Sequence, residues 1–202
     1  YEHKNTDDFV SIEETLDALN NLVKSGKVKH IGISNETPWG TNQYLKLSEQ
    51  KKLAKIVSIQ NAYNFLNRAF EVGLSEIAIR EKVGLLAYSP LASGYLSGKY
   101  RNGAMPKNSR MGLFYDFWGR YRTMHSENAI EEYWNLANEF NLNLAQMAIK
   151  FCETQPFVTS VIIGATKMDQ LKTNIDSVNI NLNEELIKKI GEIHKKYPNP
   201  CP

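Results

Sequence analysis

The chain contains 202 residues, 42% of them hydrophobic and 23% charged, which is typical of a globular protein with one sizeable core. Its 24 basic and 22 acidic side chains are mixed along the chain, so no basic stripe points to nucleic acid as a partner. No apolar run reaches the roughly 20 residues that span a bilayer, and the polar lead-in 1–10 differs from a signal peptide, so we expect a cytoplasmic protein that binds no membrane.

Four short apolar runs, rich in β-branched residues, predict four strands at 30–34, 55–60, 84–89 and 159–165. Their apolar residues are continuous rather than alternating, which is typical of strands buried on both faces of a parallel sheet. The first helix is expected to start at a capping box formed by Ser11 and Glu14. Helical patterns occupy the ranges 11–26, 42–52, 74–82, 127–140, 143–154, 168–177 and 183–196.

The interval between the third and fourth strands is longer than the others. Its part from 101 to 125 contains Gly, Pro, Arg and aromatic residues, and a loop of this length is usually a lid, a binding loop or disordered. We expect its aromatic residues either to line a substrate pocket or to pack against a partner subunit. These residues are Phe114, Tyr115, Phe117, Trp118 and Tyr121.

The alternation of strands and helices predicts βαβ units and a parallel sheet in one domain spanning 1–202, with 197–202 as a tail. Two α/β architectures compete at this point, a doubly wound open sheet and a (β/α)8 TIM barrel. The dinucleotide-binding pattern G-x-G-x-x-G follows none of the strands, which weakens the first. A barrel needs eight strands and about 250 residues, whereas four strands are visible here. In both architectures, ligands bind at the carboxyl ends of the strands.

The carboxyl ends of all four predicted strands carry polar groups suited to a small ligand. Tyr63 and Asn64, slightly beyond the second strand, could also touch such a ligand. Taken singly, residues of this kind usually cap the next helix or form a turn, but four consecutive polar strand ends favour a binding site. The residues at these ends are Ser34, Asn35, Gln60, Asn61, Tyr88, Ser89, Gly164, Ala165 and Thr166.

The loop after the third strand has the composition of an anion site. Ser93 and Gly94 can present backbone N–H groups to a phosphate, while Lys99 supplies a positive charge beside them. Arg110 could close over the same anion. The alternative for an isolated Lys or Arg is a solvated surface charge.

The segment after the fourth strand offers a second anion site. Gly164 to Thr166 are expected to open a helix whose N-terminus attracts anions. Thr166, Gln170 and Asn174 are spaced four residues apart and would share one face of that helix. The alternative is an ordinary helix cap followed by a polar, solvent-facing side.

No catalytic or metal-binding constellation is recognisable in this sequence. Its four histidines lack metal-ligand spacing, and the two cysteines, Cys152 and Cys201, are far apart and form no disulfide framework. A Ser/His/Asp, Cys/His or paired-carboxylate arrangement is also missing. We therefore predict no catalytic residue and no metal ligand in this chain.

Five segments together resemble the aldo-keto reductases, in particular the branch that contains Tas-like bacterial reductases and voltage-gated potassium channel β-subunits. The segments are GKVKHIGISNETPW, SIQNAYNFLNR, LLAYSPLASGYLSGKY, the SR pair that includes Arg110, and SVIIGATKMDQLKTNIDSV. The resemblance extends from about residue 11 to about residue 196. It implies a (β/α)8 barrel that binds NADPH/NADP across the strand ends without a Rossmann fold, and a carbonyl substrate, an aldehyde or ketone, that is reduced to an alcohol.

The resemblance also implies roles for individual residues. Ser34, Asn35 and Gln60 would hold the nicotinamide carboxamide, and Tyr88 would stack on the ring. The pyrophosphate would be lined by Ser89, Pro90, Leu91, Ser93, Gly94 and Leu96, with Lys99 and Arg110 near the phosphates. The adenosine 2′-phosphate and adenine would be surrounded by Gly164, Thr166, Gln170 and Asn174. The loop 101–125 would close over the cofactor.

The family's catalytic Asp, Tyr, Lys and His lie on the first four barrel strands, whereas this sequence starts at the helix after the fourth. We therefore expect the chain to be the carboxyl-terminal half of the barrel, about strands 5 to 8 with the final helix. Its missing amino-terminal half would then belong to the same longer chain. Pairing of two copies is a second, less favoured arrangement, and a homo-oligomer is compatible with either. The alternative function is a regulatory NADPH-binding module with little turnover, like the channel β-subunits.

Overall fold

A four-stranded parallel sheet forms the centre of the computed structural model, which describes residues 10–114 and 119–202. Each strand pairs with its neighbour in sequence, in the order β1-β2-β3-β4. The four predicted strands are therefore confirmed, although the last ends at Val161 rather than at 165. The strands are β1 Ile31–Ser34, β2 Ile56–Ala62, β3 Gly84–Tyr88 and β4 Val158–Val161.

Helices separate the strands, as the βαβ pattern predicts. Ser11 caps the first helix, because its hydroxyl accepts a hydrogen bond from the Glu14 N–H at 3.1 Å. The second helix begins at Pro38, earlier than the predicted start at 42, because Thr37 caps it and proline is favoured in the first turn. The helices are α1 Ile12–Lys24, α2 Pro38–Lys51, α3 Leu74–Glu81, α4 Arg110–Leu113, α5 Met124–Glu139, α6 Leu144–Glu153, α7 Met168–Asp176 and α8 Glu184–Lys196.

The interval after β3 contains short helical segments. Short 3-10 segments at Ala92–Ser97 and Arg101–Gly103 precede α4, and left-handed backbone interrupts both of them. Of the aromatic residues predicted to line a pocket, Phe114 is exposed and Tyr121 is buried against Tyr95. Three others lie outside the described part of the chain: Tyr115, Phe117 and Trp118.

One face of the sheet is buried and the other is open in the described structure, which corrects the expectation of strands buried on both faces. On the buried face, Ile59 and Leu85 are fully buried in the main core. On the opposite face, Ser34, Gln60 and Ser160 are exposed and lie in one row across the sheet. The apolar runs concealed this difference because small and polar residues within them fall on the open face.

The segment after α8 packs against the loop that follows β2. The Arg68 N–H donates to Asn199 Oδ1 at 2.7 Å, and the Cys201 N–H donates to the Leu66 backbone oxygen at 3.0 Å. Cys201 is fully buried. The predicted tail at 197–202 is therefore a packed part of the fold.

Neither a membrane-spanning helix nor a metal centre is found among residues 10–114 and 119–202. No helix there is long and apolar enough to cross a bilayer. The same residues contain no group of three His, Cys, Asp or Glu side chains that could hold a metal ion.

Candidate functional site

The carboxyl ends of β1, β2 and β3 meet in one hydrogen-bonded group. The Ser34 hydroxyl donates to the Gln60 backbone oxygen at 2.9 Å, and the Asn35 N–H donates to the same oxygen at 3.0 Å. The Tyr88 hydroxyl donates to Asn35 Oδ1 at 2.7 Å and so reaches across β2. The structure thus brings together four predicted site residues from three strands.

This group presents an aromatic ring beside amide and hydroxyl groups. Ser34, Asn35 and Gln60 are exposed and Tyr88 is half-buried, so their side chains are accessible. Asn61 follows Gln60 in β2, so its side chain lies on the opposite face of the sheet, where its amide donates to the Glu36 backbone oxygen at 3.4 Å. A planar heterocycle that carries a carboxamide fits such a surface, because it can stack on the ring and exchange hydrogen bonds with the amides.

The loop after β3 turns through left-handed backbone conformations. The φ angles are 54° at Ser89, 48° at Ala92, 58° at Ser93 and 97° at Gly94. For residues other than glycine, each such conformation costs about 1–2 kcal/mol, so neighbouring groups must hold it. The Ala92 N–H donates to the Ser89 oxygen at 2.9 Å, and the Gly94 N–H donates to the Leu91 oxygen at 2.8 Å. These two bonds close successive tight turns.

Gly94 and Lys99 form the positively charged part of this loop. A Cβ at Gly94 would lie 2.9 Å from both Cε and Nζ of Lys99, so the ammonium group rests directly against the glycine. Because the Gly94 N–H is already bonded within the loop, the glycine contributes space for Lys99 rather than the predicted donor to a phosphate. Ser93 is buried beside Tyr121, and its hydroxyl makes no hydrogen bond of normal geometry in the described structure.

Three predicted contact residues of this loop lie wholly or partly in the core. Leu96 is fully buried, Pro90 is buried, and Leu91 packs part of its surface against the core. Their side chains therefore stabilise the loop, and only their backbone atoms are placed to contact a ligand. The sequence could not separate these roles, because an apolar side chain in a loop is compatible with either.

A further set of contacts holds the far end of the loop against α5. Arg101 forms an ion pair with Glu131 and stacks on Trp134, with its guanidinium carbon 4.2 Å from the ring centroid. Gly98 approaches the same ring so closely that a Cβ would lie 2.3 Å from it. Cation–aromatic stacking contributes about 0.5–1 kcal/mol at such sites. Lys99 thus lies in the short stretch between Gly98 and Arg101, both of which contact the Trp134 ring.

Arg110, the second predicted phosphate-binding cation, is the first residue of α4 and is exposed. The Met111 N–H donates to the Tyr100 hydroxyl at 3.3 Å. This bond connects the start of α4 to the residue that follows Lys99. The structure therefore places both cations on linked segments.

The segment after β4 is largely exposed. The helix α7 begins at Met168, which confirms the predicted start at 168, and Gly164 to Thr166 lead into it rather than forming its first turn. Gln170 Oε1 accepts from the Thr166 N–H at 3.1 Å and from the Thr166 hydroxyl at 3.2 Å. Asn174, which is buried, donates its amide to the Gly164 oxygen at 3.3 Å. The predicted polar residues thus form two separate hydrogen-bonded pairs, Thr166 with Gln170 and Asn174 with Gly164, and Thr166 lies outside the helix.

Tyr63 and Asn64 do not reach the site, contrary to expectation, because both are fully buried. The Tyr63 hydroxyl donates to Glu71 Oε1 at 2.6 Å. Burial, followed by this carboxylate, raises the pKa of Tyr63 far above its usual range. The phenol therefore keeps its proton and serves a structural role.

Neither cysteine is a reactive thiol. Both are free and buried. Burial raises the pKa of Cys201 to about 12 and also raises the pKa of Cys152. Because the thiolate is the nucleophilic form, these two residues are inert at neutral pH.

Comparison with known proteins identifies the family. A model described as the Aldo/keto reductase family matches residues 1–195. The chain belongs to the aldo/keto reductase family. The resemblance noted in the sequence is thereby confirmed, and the relatives include both Tas proteins and potassium channel β-subunits.

Three relatives of this aldo/keto reductase chain show how far the similarity extends. Protein tas of Escherichia coli (strain K12) is 47% identical over 193 residues, which cover 96% of the chain and 56% of that protein. An aldo-keto reductase of Babesia bovis is 37% identical over 198 residues, covering 95% and 70%. A probable voltage-gated potassium channel subunit beta of Arabidopsis thaliana is 29% identical over 197 residues, covering 93% and 58%. The chain thus spans about half the length of the Tas relatives it matches.

Proposed function

We propose that this aldo/keto reductase chain holds the NADPH of an oxidoreductase that reduces aldehydes or ketones to alcohols. The observation that carries the proposal is the hydrogen bond between Tyr88 and Asn35, which joins the tips of β3 and β1 around Gln60. Bound NADPH supplies the hydride for such a reduction. The chain's own residues orient the ring, because Tyr88 offers a stacking face while Ser34, Asn35 and Gln60 offer hydrogen bonds to a carboxamide.

The loop after β3 has the chemistry that a pyrophosphate requires. Lys99 is held beside Gly94, where a larger side chain would displace it. Ser93 is buried beside Tyr121 in the same loop, and Arg110 lies on the adjoining helix. A cation, a hydroxyl and a left-handed turn together fit a phosphate group.

The segment after β4 is assigned to the adenosine end of the cofactor. Thr166 and Gln170 are hydrogen-bonded to each other there, and Asn174 donates to the Gly164 backbone oxygen. We attribute a preference for NADPH over NADH to Lys99, Arg110 and Gln170, which would contact the extra phosphate or its surroundings.

The same proposal makes the four strands the fifth to eighth strands of a (β/α)8 barrel. Support comes from the open face of the sheet, whose exposed row includes Ser34, Gln60 and Ser160, since a closed barrel would enclose that face. In the described sheet, β1 and β4 each have one unpaired edge, which further strands can join. The catalytic residues and the rest of the substrate pocket would lie on those further strands.

A regulatory NADPH-binding module with little turnover is the second candidate. It is favoured by the similarity to proteins named as potassium channel β-subunits. Both candidates require NADPH binding at the same strand ends, so they differ only in whether the bound cofactor is oxidised.

Two measurements on the full-length protein test the proposal. Titration with NADPH should quench tryptophan fluorescence in a saturable manner, and the absence of binding would overturn both candidates. The NADPH-bound protein is then mixed with an aldehyde in a single turnover. Rapid loss of the nicotinamide absorbance supports the reductase, whereas tight binding without oxidation supports the regulatory module.

Substitutions of Tyr88 test the position of the site. Tyr88→Ala removes the stacking face and should weaken NADPH binding about tenfold, equivalent to about 1.4 kcal/mol. Tyr88→Phe is the matched control, because it keeps the aromatic ring while removing the hydroxyl that donates to Asn35, so its effect should be smaller. If Tyr88→Ala bound NADPH as tightly as the wild-type protein, the nicotinamide would not lie at these strand ends.

A further inference from the structure

The chain leaves β3 through Ser89, whose backbone is left-handed with φ 54°. Its carbonyl oxygen accepts two hydrogen bonds, one from the Ala92 N–H at 2.9 Å and one from the Asn64 side-chain amide at 2.9 Å. The first bond is local and closes the turn. The second comes from a different loop, 25 residues away in sequence. A strained backbone of this kind persists only where the surrounding structure fixes it.

The Asn64 side chain is fully buried, and its orientation is determined by its partners. Its Oδ1 accepts from the Leu66 N–H at 2.9 Å and from the Asn67 N–H at 3.0 Å. Asn64 and Asn67 also exchange two backbone hydrogen bonds of 3.1 Å. Because two N–H donors must face an oxygen, the amide nitrogen of Asn64 must face Ser89.

The loop that carries Asn64 is held firmly on its other side. Arg68 pairs with both carboxylate oxygens of Glu71, at 2.6 and 2.9 Å, and the Tyr63 hydroxyl donates to the same carboxylate. The Arg68 N–H donates to Asn199 in the tail. Asn64 therefore projects from a rigid support, and the Ser89 carbonyl is located relative to that support.

We propose that Asn64 is a positioning residue that fixes the cofactor loop through the Ser89 carbonyl. Its side chain touches no ligand, but it sets the direction in which the backbone runs from Tyr88 toward Gly94 and Lys99. The inference rests on the proposed function, since it takes this loop to be the one that holds NADPH. Without the Asn64 donor, the loop would populate other conformations, and binding would have to reorder it.

The variant Asn64→Asp replaces the donor by a carboxylate of nearly the same shape. Its carboxylate keeps the oxygen that accepts from the Leu66 and Asn67 N–H groups, but it places a negative charge against the Ser89 carbonyl. The matched control is Asn67→Asp, the same chemical change in the same loop. Asn67 Oδ1 accepts from the Ala69 N–H at 3.2 Å, a contact that a carboxylate retains.

In the full-length protein, Asn64→Asp should weaken NADPH binding about tenfold at neutral pH, whereas Asn67→Asp should remain within about twofold of the wild-type affinity. Acidification should restore part of the affinity of Asn64→Asp alone, because a protonated carboxyl can again donate to Ser89. A role limited to folding of the Asn64 loop would not produce this difference in pH profile. The titratable groups near this loop are the same in both variants: Tyr63, Arg68, Glu71, Cys152 and His194.

Amide hydrogen exchange of the ligand-free protein separates failure of this inference from failure of the proposed function. Asn64→Asp should accelerate exchange at the Ala92 and Gly94 N–H groups, and Asn67→Asp should not. If the wild-type protein bound no NADPH, the proposed function would fail, while accelerated exchange would still support the positioning of Ser89. Unchanged exchange and unchanged affinity in Asn64→Asp would overturn the positioning role.

A second variant covers the case in which Asn64→Asp does not fold. Glycine adopts the left-handed conformation without strain, so adding Ser89→Gly should restore folding if Asn64 acts through this residue. Continued failure of the double variant to fold would show that Asn64 serves its own loop alone and would contradict the proposal.

Discussion

The two segments assigned to the phosphates and to the adenosine of the cofactor differ in how they are held. The loop after β3 buries Ala92, Ser93 and Leu96 and is supported from outside by Asn64. In the segment after β4, by contrast, residues 164–170 are exposed, and Asn174 is the residue of this site that is buried. The first segment is thus built into the core, and the second lies on the surface.

Because of this difference, we expect substitutions in the two segments to affect stability and cofactor affinity differently. A residue of the loop after β3 contributes to the core as well as to the cofactor site, so its substitution should change both stability and affinity. A residue on the exposed side of α7 has few packing contacts to lose, so its substitution should change affinity alone. The following variants test that distinction.

The largest effect is expected at Gly94, in the loop after β3. Gly94→Ala adds a Cβ that would lie 2.9 Å from the Lys99 side chain, on a backbone with φ 97°. We expect NADPH binding at least about tenfold weaker and a free energy of unfolding about 1–2 kcal/mol lower. Fluorescence titration and urea denaturation measure the two quantities.

Gly103→Ala is the matched control for this variant. Gly103 has φ 73°, but nothing lies within 4 Å of the position its Cβ would take. It should therefore lose a similar free energy of unfolding while keeping the wild-type affinity for NADPH. Equal losses of affinity in both variants would show that backbone strain, rather than displacement of Lys99, controls binding.

A smaller effect is expected where the loop is fixed on α5. Arg101→Met keeps the aliphatic stem but removes the ion pair with Glu131 and the cationic stacking on Trp134. The free energy of unfolding should fall by about 1 kcal/mol, and NADPH affinity should fall by a few-fold. Arg80→Met, which removes an exposed pair with Glu76, should change stability by less than about 0.5 kcal/mol. If Arg101→Met and Arg80→Met lowered the free energy of unfolding by the same amount, the contacts of Arg101 with α5 would contribute no more than an ordinary surface ion pair.

On the exposed side, Gln170→Ala should lower the ratio of NADPH to NADH affinity several-fold and leave stability within about 0.5 kcal/mol of the wild type. Lys172→Ala is the control on the same helix, where the exposed Lys172 pairs with Asp176. Parallel titrations with both cofactors measure the ratio. An unchanged ratio in Gln170→Ala would remove this residue from the site.

The smallest expected effect is on the pH dependence of stability, and it comes from His194, which lies near Arg68 in the loop after β2. His194 Nδ1 is buried without a hydrogen-bond partner in the described structure, and burial, followed by the charge of Arg68, lowers the pKa of His194. The folded protein then binds the proton less readily than the unfolded chain. Stability from this group is therefore complete above the ordinary pKa of 6.5 and declines as the pH falls below it. His194→Gln should therefore make the free energy of unfolding, measured by urea denaturation, depend less on pH below 6.5. If the variant and the wild-type protein showed the same pH dependence, His194 would not be the group responsible.

The sheet and the meeting of its polar strand ends could be predicted from the sequence because both follow from local patterns. Short apolar runs correctly located the four strands, and the polar residues predicted directly after them include Asn35 and Tyr88, which the structure joins by a hydrogen bond. The register of parallel neighbours then brings these residues together without further information.

The remainder depends on contacts between distant residues, which no local pattern contains. Asn64 resembled a possible ligand contact in sequence but is buried beneath Ser89, and Leu96 points into the core. The helix α2 starts before the predicted residue 42 because Pro38 is a first-turn residue behind the Thr37 cap. The open face of the sheet differs from the prediction because burial of a face depends on what packs against it.

The most direct test of the account is a structure of the full-length protein with NADP bound. We predict the nicotinamide against Tyr88 within reach of Ser34, Asn35 and Gln60, and the pyrophosphate beside Lys99. The adenosine should lie near Gln170 and Asn174. A cofactor bound elsewhere, or absent at saturating concentration, would contradict the claim that these strand ends form one cofactor site.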